Sequence, residues 1–225
     1  MILQDSPTLL AQFGLFNALN DAERDRLSRR LVVQSRAKGE LLFRSAVAAP
    51  LLYLVHQGQI KLSRYSDDGR EIILDFRRAG DVVGELALVG WAQQDDVAEV
   101  AEQALVSAIP IDELTPLLGS NCLFNTQVTH LVVQRLKQMQ HRYESLCFQG
   151  ASSRIRQFIR EQADAVGRHV GTEIDVKISL THQDIAKMTI TSRQLVTGVL
   201  RDLKRQNVIT YNRNRILVRN YQALL

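Results

Sequence analysis

Between residues 6 and 31 the apolar positions Leu9, Leu10, Phe13, Phe16, Leu19 and Leu27 recur at roughly helical spacing, which predicts one or two helices. Asn20-Asp21-Ala22-Glu23 supplies a cap and an acidic first turn for the second. Past Leu31 the period shortens. Leu52-Tyr53-Leu54-Val55, Gln59 to Ser66 and Glu71 to Phe76 read as short strands, with Ile60, Leu62, Ile72, Leu74 and Phe76 alternating as half-buried strands do. Ser66-Asp67-Asp68-Gly69-Arg70 between the last two offers Asp-Gly, the dipeptide that a tight hairpin needs. With Gly39, Gly58, Gly69, Gly80 and Gly84 as punctuation, this region predicts an all-β roll or barrel.

Ala104 to Pro110 is one more apolar strand, and Ile111-Asp112-Glu113-Leu114 opens a short helix. A long helix follows over about Phe124 to Phe148, a stretch without Gly or Pro. Val132, Leu136, Met139, Tyr143 and Leu146 step along it by four and three residues, the spacing of a coiled-coil seam. Two heptads also fit one face of a core helix; the seam, and with it a homodimer, is the favoured reading. Gln149-Gly150-Ala151-Ser152-Ser153 predicts a hinge, with Ser152 or Ser153 capping a helix that carries Ile155, Phe158, Ile159 and Ala163 and ends at Val166-Gly167. Ile174, Val176 and Ile178 alternate within a strand from Glu173 to Ser179.

The stretch from Ser179 to Ile209 carries the most information. Thr181 caps a helix to Met188, Thr189-Ile190-Thr191 turns, and Ser192 caps a second helix to about Gln206, which together make a helix-turn-helix. On the second helix Val196, Val199, Leu200 and Leu203 form an inward stripe, packed with Ile185 of the first. Arg193, Gln194, Thr197 and Arg201 fall on the other side, where Arg can pair with guanine and Gln with adenine in the major groove. Leu195, expected to be exposed, would sit against a thymine methyl. Thr181 and Gln183, with helix-start amides, are placed to hold phosphate, and Thr191 and Ser192 complete the DNA-binding set. Val208 to Tyr211 and Arg215 to Val218 then form a wing around Asn212-Arg213-Asn214.

Charge agrees with this division. Residues 151–225 hold 13 Lys and Arg against 6 Asp and Glu, a local +7, whereas the rest holds 15 against 18, or −3. A basic third on an acidic body calls for a polyanionic partner. The 225 residues hold only two cysteines, Cys122 and Cys147, too few for a disulfide framework or a Cys-rich zinc site and suited to a reducing cytoplasm. No long uncharged apolar run predicts a membrane span, and Met1 to Asp5 lacks the character of a secretory leader. No phosphate loop, His-Glu-x-x-His pair or nucleophile elbow occurs, so no catalytic residue, metal site or cofactor is expected.

Several of these segments resemble the cyclic-AMP receptor protein and fumarate-nitrate-reduction (CRP/FNR) regulators, over nearly the whole chain. Leu52 to Val55, Gly58, Ser66 to Glu71 and Gly80-Asp81-Val82-Val83-Gly84-Glu85-Leu86 resemble the family's cyclic-nucleotide-binding roll. Thr191-Ser192-Arg193 with Leu200-Arg201-Asp202-Leu203 resembles its recognition helix. The resemblance implies an α+β chain: a sensor roll over 1–123, a dimerisation helix and hinge over 124–150, and a winged helix-turn-helix over 151–225. It further implies a homodimer on a near-palindromic site in double-stranded DNA, with RNA polymerase as a candidate partner.

The departures matter as much. The resemblance places the effector pocket at Gly84, Glu85, Asp95, Asp96, Met139 and Gln140. Nucleotide-binding members carry Arg-Ser where this chain has Asp95-Asp96, and a hydroxyl pair where it has Met139-Gln140. A carboxylate without a neutralising cation repels phosphate, so tight cyclic-AMP binding is not expected. Two cysteines cannot hold the four-cysteine cluster of oxygen-sensing members. His56, His130 or His141 leaves haem open, as does a roll that senses another molecule or serves only protein interactions. In the recognition helix Gln194 and Gly198 stand where many members have Glu and a second Arg, so a different half-site is expected.

Overall fold

The computed structural model describes residues 9–44, 50–90, 96–178, 180–212 and 214–224. The chain divides into two compact units, Met1–Met139 and Gln140–Leu225.

The first unit is built on antiparallel strands β1 (Val32–Arg36), β2 (Leu41–Arg44), β3 (Leu51–Tyr65), β4 (Glu71–Arg78), β5 (Val82–Val83) and β6 (Asp96–Pro110). The sheet order is β1-β6-β3-β4, with β2 also on β6 and β5 on β3. Leu52 to Val55 does not alternate in burial because both faces are covered. Leu52 and Leu54 join one core with Phe13, Phe16, Ile109, Leu114 and Phe124, while Tyr53 and Val55 join another with Ile60, Val83, Val100 and Val106. The runs around Gly58, read as two strands, form one: the register slips on either side of Gln57 and the chain continues. Gly58 has φ +83°, and a Cβ there would lie 2.3 Å from the Gln103 carbonyl, so only glycine keeps the strands paired. The Asp68-Gly69 hairpin closes as expected, Gly69 N–H donating to Ser66 O at 2.8 Å.

Two expectations can be set against the structure here. Leu9 and Leu10 are helical, a 3-10 turn follows at Gly14–Phe16, and α1 (Asp21–Ser28) is the second of the helices expected in this stretch. Between the helices Phe13, Phe16 and Leu19 are buried, delivered to the core by compact turns. The strand before Pro110 is longer than the Ala104–Pro110 run and begins at Asp96, because pairing with β3 carries the segment in which carboxylates alternate with buried Val97, Ala98 and Val100. The Asn20–Glu23 capping box of α1 is present. Pro110 ends β6, and α2 (Ile111–Ser120) begins at the next residue.

Helix α3 (Cys122–Phe148) contributes Phe124 and Val128 to the first unit's core. Along it Val132 is half-buried, and Leu136, Met139, Tyr143 and Leu146 are exposed in the single chain, Met139 and Tyr143 at 67% and 70%.

The second unit continues with α4 (Ala151–Val166), β7 (Gly167–Val170), β8 (Glu173–Lys177), α5 (His182–Thr189), α6 (Arg193–Arg205), β9 (Ile209–Asn212) and β10 (Arg215–Val218), with sheet order β7-β8-β10-β9. The N-cap of α4 is Gly150, not Ser152 or Ser153; both serines lie inside the first turn. Strand β7, pairing with β8, was not predicted, since Gly167-Arg168-His169-Val170 carries no alternating apolar signal. Ile155, Phe158 and Ile159 of α4 are buried, as are Ile185 and Ala186 of α5 and Val196, Val199, Leu200 and Leu203 of α6.

Candidate nucleic-acid interface

Helix α5 starts in a reciprocal cap: Thr181 Oγ1 accepts from Asp184 N–H at 3.1 Å, and Asp184 Oδ2 accepts from Thr181 N–H at 2.8 Å. The same hydroxyl also donates to Asp184 Oδ2 at 2.7 Å, so Thr181 meets its own carboxylate partner before any phosphate. Gln183 is exposed. The turn between the helices passes through Ile190 in the left-handed region, φ +51° and ψ +58°, with 52% exposure. Such a conformation is rare for a β-branched residue and strains the backbone.

Several contacts hold that turn. Thr191 N–H donates to Ala186 O at 2.9 Å, and the Thr189 and Thr191 hydroxyls meet at 2.9 Å. Arg154 of α4 donates to Thr189 O, Ile190 O and Gln149 O at 2.9, 3.0 and 2.9 Å. Arg154 had no signal in the sequence. A guanidinium that clamps three carbonyls from another helix leaves no local pattern.

Helix α6 is capped by Ser192, whose Oγ accepts from Leu195 N–H at 3.1 Å. Its two faces separate cleanly. Arg193, Gln194, Thr197 and Arg201 are exposed, opposite the buried Val196, Val199, Leu200 and Leu203. Among the described residues Arg193, Gln194 and Arg201 have no side-chain hydrogen bond or ion pair. Thr197 differs: its hydroxyl donates to Arg193 O at 2.9 Å and so accepts from His182 Nδ1 at 2.9 Å. Leu195 is half-buried rather than exposed, because its place beside the buried Val196 turns part of it inward. His182 also packs edge-on against Tyr211 of β9, over which Lys204 sits 5.5 Å from the ring centroid. His182, Lys204 and Tyr211 thus join the helix-turn-helix to the wing, a link that sequence reasoning missed. Arg213 at the wing tip and Ser179 lie outside the described residues.

In the first unit Gly84 has φ +92°, and a Cβ there would lie 2.6 Å from Leu51 O. Glu85 is buried and accepts from Arg77 Nη2 at 3.3 Å and Arg135 Nε at 3.0 Å. Arg77 also pairs with Asp75 at 2.6 Å, and Arg135 approaches Asp81 at 3.9 Å. None of these partners of Glu85 was read from the sequence. Asp96 is buried too, but Arg64 pairs with it at 2.6 Å, so the expected repulsion of phosphate by a bare carboxylate does not hold at this position. Asp95 lies outside the described residues; Met139 and Gln140 are exposed.

The histidines are largely occupied. His56 Nε2 meets Ser107 Oγ at 2.8 Å, its ring stacks edge-on with Phe13, and burial lowers its pKa. His141 pairs with Glu161 at 3.3 Å, and His130 is exposed.

Residues 33–121 match the model of the cyclic nucleotide-binding domain, and residues 153–225 match that of the Crp-like helix-turn-helix domain. The chain is 22% identical over 216 residues to the CRP-like cAMP-activated global transcriptional regulator of Mycobacterium tuberculosis, covering 96% of each. It is 26% identical over 219 residues to the fumarate and nitrate reduction regulatory protein of Yersinia pestis, covering 96% of this chain and 86% of that protein. Its fold is that of FixK2 from Bradyrhizobium japonicum, with a TM-score of 0.77 at 20% identity over 86% of this chain and 95% of the other. With a cyclic nucleotide-binding domain followed by a Crp-like helix-turn-helix, the chain belongs to the CRP/FNR family of transcription regulators.

Proposed function

We propose that the chain works as a homodimer on a near-palindromic site in double-stranded DNA, needs no cyclic AMP to do so, and acts on RNA polymerase in the cytoplasm. One observation carries the reading: the exposed strip of α6 presents Arg193, Gln194 and Arg201 with no side-chain partner among the described residues. Side chains in that state keep their donors for base edges, and Arg and Gln are the residues that make bidentate contacts there. Thr181 and Gln183 at the start of α5 would hold phosphate, and Thr191 and Ser192 lead into the strip at the start of α6.

The dimer is supported by α3. Leu136, Met139, Tyr143 and Leu146 repeat at seam spacing and are exposed in a single chain, an arrangement that a second copy of the helix would bury. Independence from cyclic AMP is supported by Glu85. Glu85 Oε1 is already taken by two guanidinium groups of the chain itself, and neither Met139 nor Gln140 brings a hydroxyl to a purine. In the Mycobacterium tuberculosis relative cyclic AMP is the activator, by its name; at 22% identity that property does not pass to this chain.

The test is a binding selection from random duplex oligonucleotides with the purified protein and no added ligand. A two-fold symmetric consensus is expected, unchanged by cyclic AMP. An unenriched pool, or enrichment only once cyclic AMP is added, would overturn the reading.

A further inference from the structure

Asp75 and Arg77 stand opposite Leu62 and Ile60 in the β3–β4 pairing, and directly opposed residues share one face of a sheet. That face is the inside of the roll, where Ile60 and Leu62 pack with Val83 and Val100. A carboxylate and a guanidinium therefore project inward among hydrocarbon side chains, and Arg77 is only 6% exposed. Such a pair adds little to stability. Taking both charges out of water offsets most of their attraction, and apolar residues of similar volume would fill the space as well. What the pair gains is reach. Arg77 Nη1 holds Asp75 Oδ2 at 2.6 Å, and Nη2 extends to Glu85 Oε1 at 3.3 Å. The same oxygen accepts from Nε of Arg135, a residue of α3, at 3.0 Å. An unbroken line of charge thus runs from β4 through the interior of the roll to the long helix.

Resting on the reading that no cyclic AMP is needed, we infer that the roll is self-liganded: the Arg77 guanidinium is its resident occupant. By holding Glu85 for Arg135 it fixes α3 against the roll from within. Arg77 is then a positioning residue for DNA binding, although it touches neither duplex nor seam. A side chain that acts as a ligand can also be removed and supplied again from solution. Arg77→Ala deletes the atoms of one ethylguanidinium ion, which makes that ion the matching probe.

The experiment uses the full chain. Arg77→Ala is expected to keep the sedimentation coefficient of the wild type and to unfold roughly 10 °C lower, as the loss of one partner of a buried pair requires. Ethylguanidinium at about 10 mM should raise that midpoint by about 3 °C, as a ligand of millimolar Kd would. Ethylammonium at the same ionic strength should not, and neither ion should move the wild type. On the selected duplex the variant is expected to bind about tenfold more weakly, within the usual range of coupling between sites, and to recover with ethylguanidinium. If the alanine variant does not fold, Arg77→Met fills the space without the planar fork. It should show the same tenfold loss, with faster hydrogen exchange in α3 around Arg135. An alanine variant that answers to both ions or to neither, or a methionine variant that binds the duplex as tightly as the wild type, would overturn the inference. A wild type that enriches no sequence would remove the DNA-binding reading instead, and the thermal shift, which needs no DNA, would still decide whether the guanidinium is the ligand.

Discussion

Arg154 is the clearest single support of the helix-turn-helix, and its removal has a cost that can be worked out. The guanidinium makes three hydrogen bonds of 2.9 to 3.0 Å to carbonyls at Gln149, Thr189 and Ile190, two of them at the end of α5 where no further helical N–H is available. Charge-assisted bonds of this kind contribute about 1.5–3 kcal/mol each when buried; Arg154 is half-exposed, so about 1 kcal/mol apiece is the fitting figure. Arg154→Ala should then cost the C-terminal unit roughly 3 kcal/mol, a large part of the 5–15 kcal/mol typical of a folded domain. Native-state hydrogen exchange of the full chain reads this directly. Amides of α5, the turn and the start of α6 are expected to lose about two orders of magnitude of protection. Arg154→Lys replaces a planar fork by one ammonium and should fall between the two. A loss of threefold or less in the alanine variant would refute the clamp and leave the turn to its own backbone bonds.

Three further outcomes are expected. Ile190→Gly removes a β-branched side chain from φ +51°, relieving about 1–2 kcal/mol of strain against a smaller entropic loss; a net gain of about 0.5–1 kcal/mol should appear as a higher denaturation midpoint, and a lower one would contradict the strain. Leu136→Glu puts a charge into the exposed stripe of α3 and should give a monomer in sedimentation velocity with weakened DNA binding; an intact dimer would move the interface elsewhere. His56 has its pKa lowered below 6.5 by burial, so the folded state binds its proton less readily than the unfolded one. The stability it contributes is present above pH 6.5 and is lost as the pH falls through the folded value. His56→Gln should flatten that part of the denaturation-midpoint profile, and an unchanged slope would assign it to other groups.

What could be read from the sequence was what is local. The helix-turn-helix stands out because Thr181 and Ser192 cap their helices within a few residues and the apolar stripe of α6 has an unmixed helical period. The β3–β4 hairpin follows from Asp68-Gly69 in the same way. Where tertiary contacts decide, the pattern gave out. Phe13 and Phe16 keep helical spacing yet sit in turns, since burial asks only that they reach the core. The first half of β6, where Asp96, Glu99 and Glu102 interrupt the apolar run, is a strand because β3 pairs with it and Val97, Ala98 and Val100 are buried. Gly150 in place of a serine caps α4, because the helix simply begins earlier than the serines suggest. In the interface, the exposed positions of α6 were legible from its faces, whereas Arg154, the Arg77–Glu85–Arg135 cluster and the His182–Thr197 bond join residues far apart in sequence and leave no periodic trace.

Arg193 puts the central proposition under the most direct strain. It is exposed, without a side-chain partner among the described residues, and placed at the start of the helix proposed to enter the major groove. In a fluorescence-anisotropy titration on the selected duplex at fixed salt, Arg193→Ala should raise Kd by about 5- to 150-fold, the equivalent of 1–3 kcal/mol for a lost bidentate contact, with sedimentation showing the same dimer. A variant that binds that duplex as tightly as the wild type would mean that this face of α6 does not read DNA.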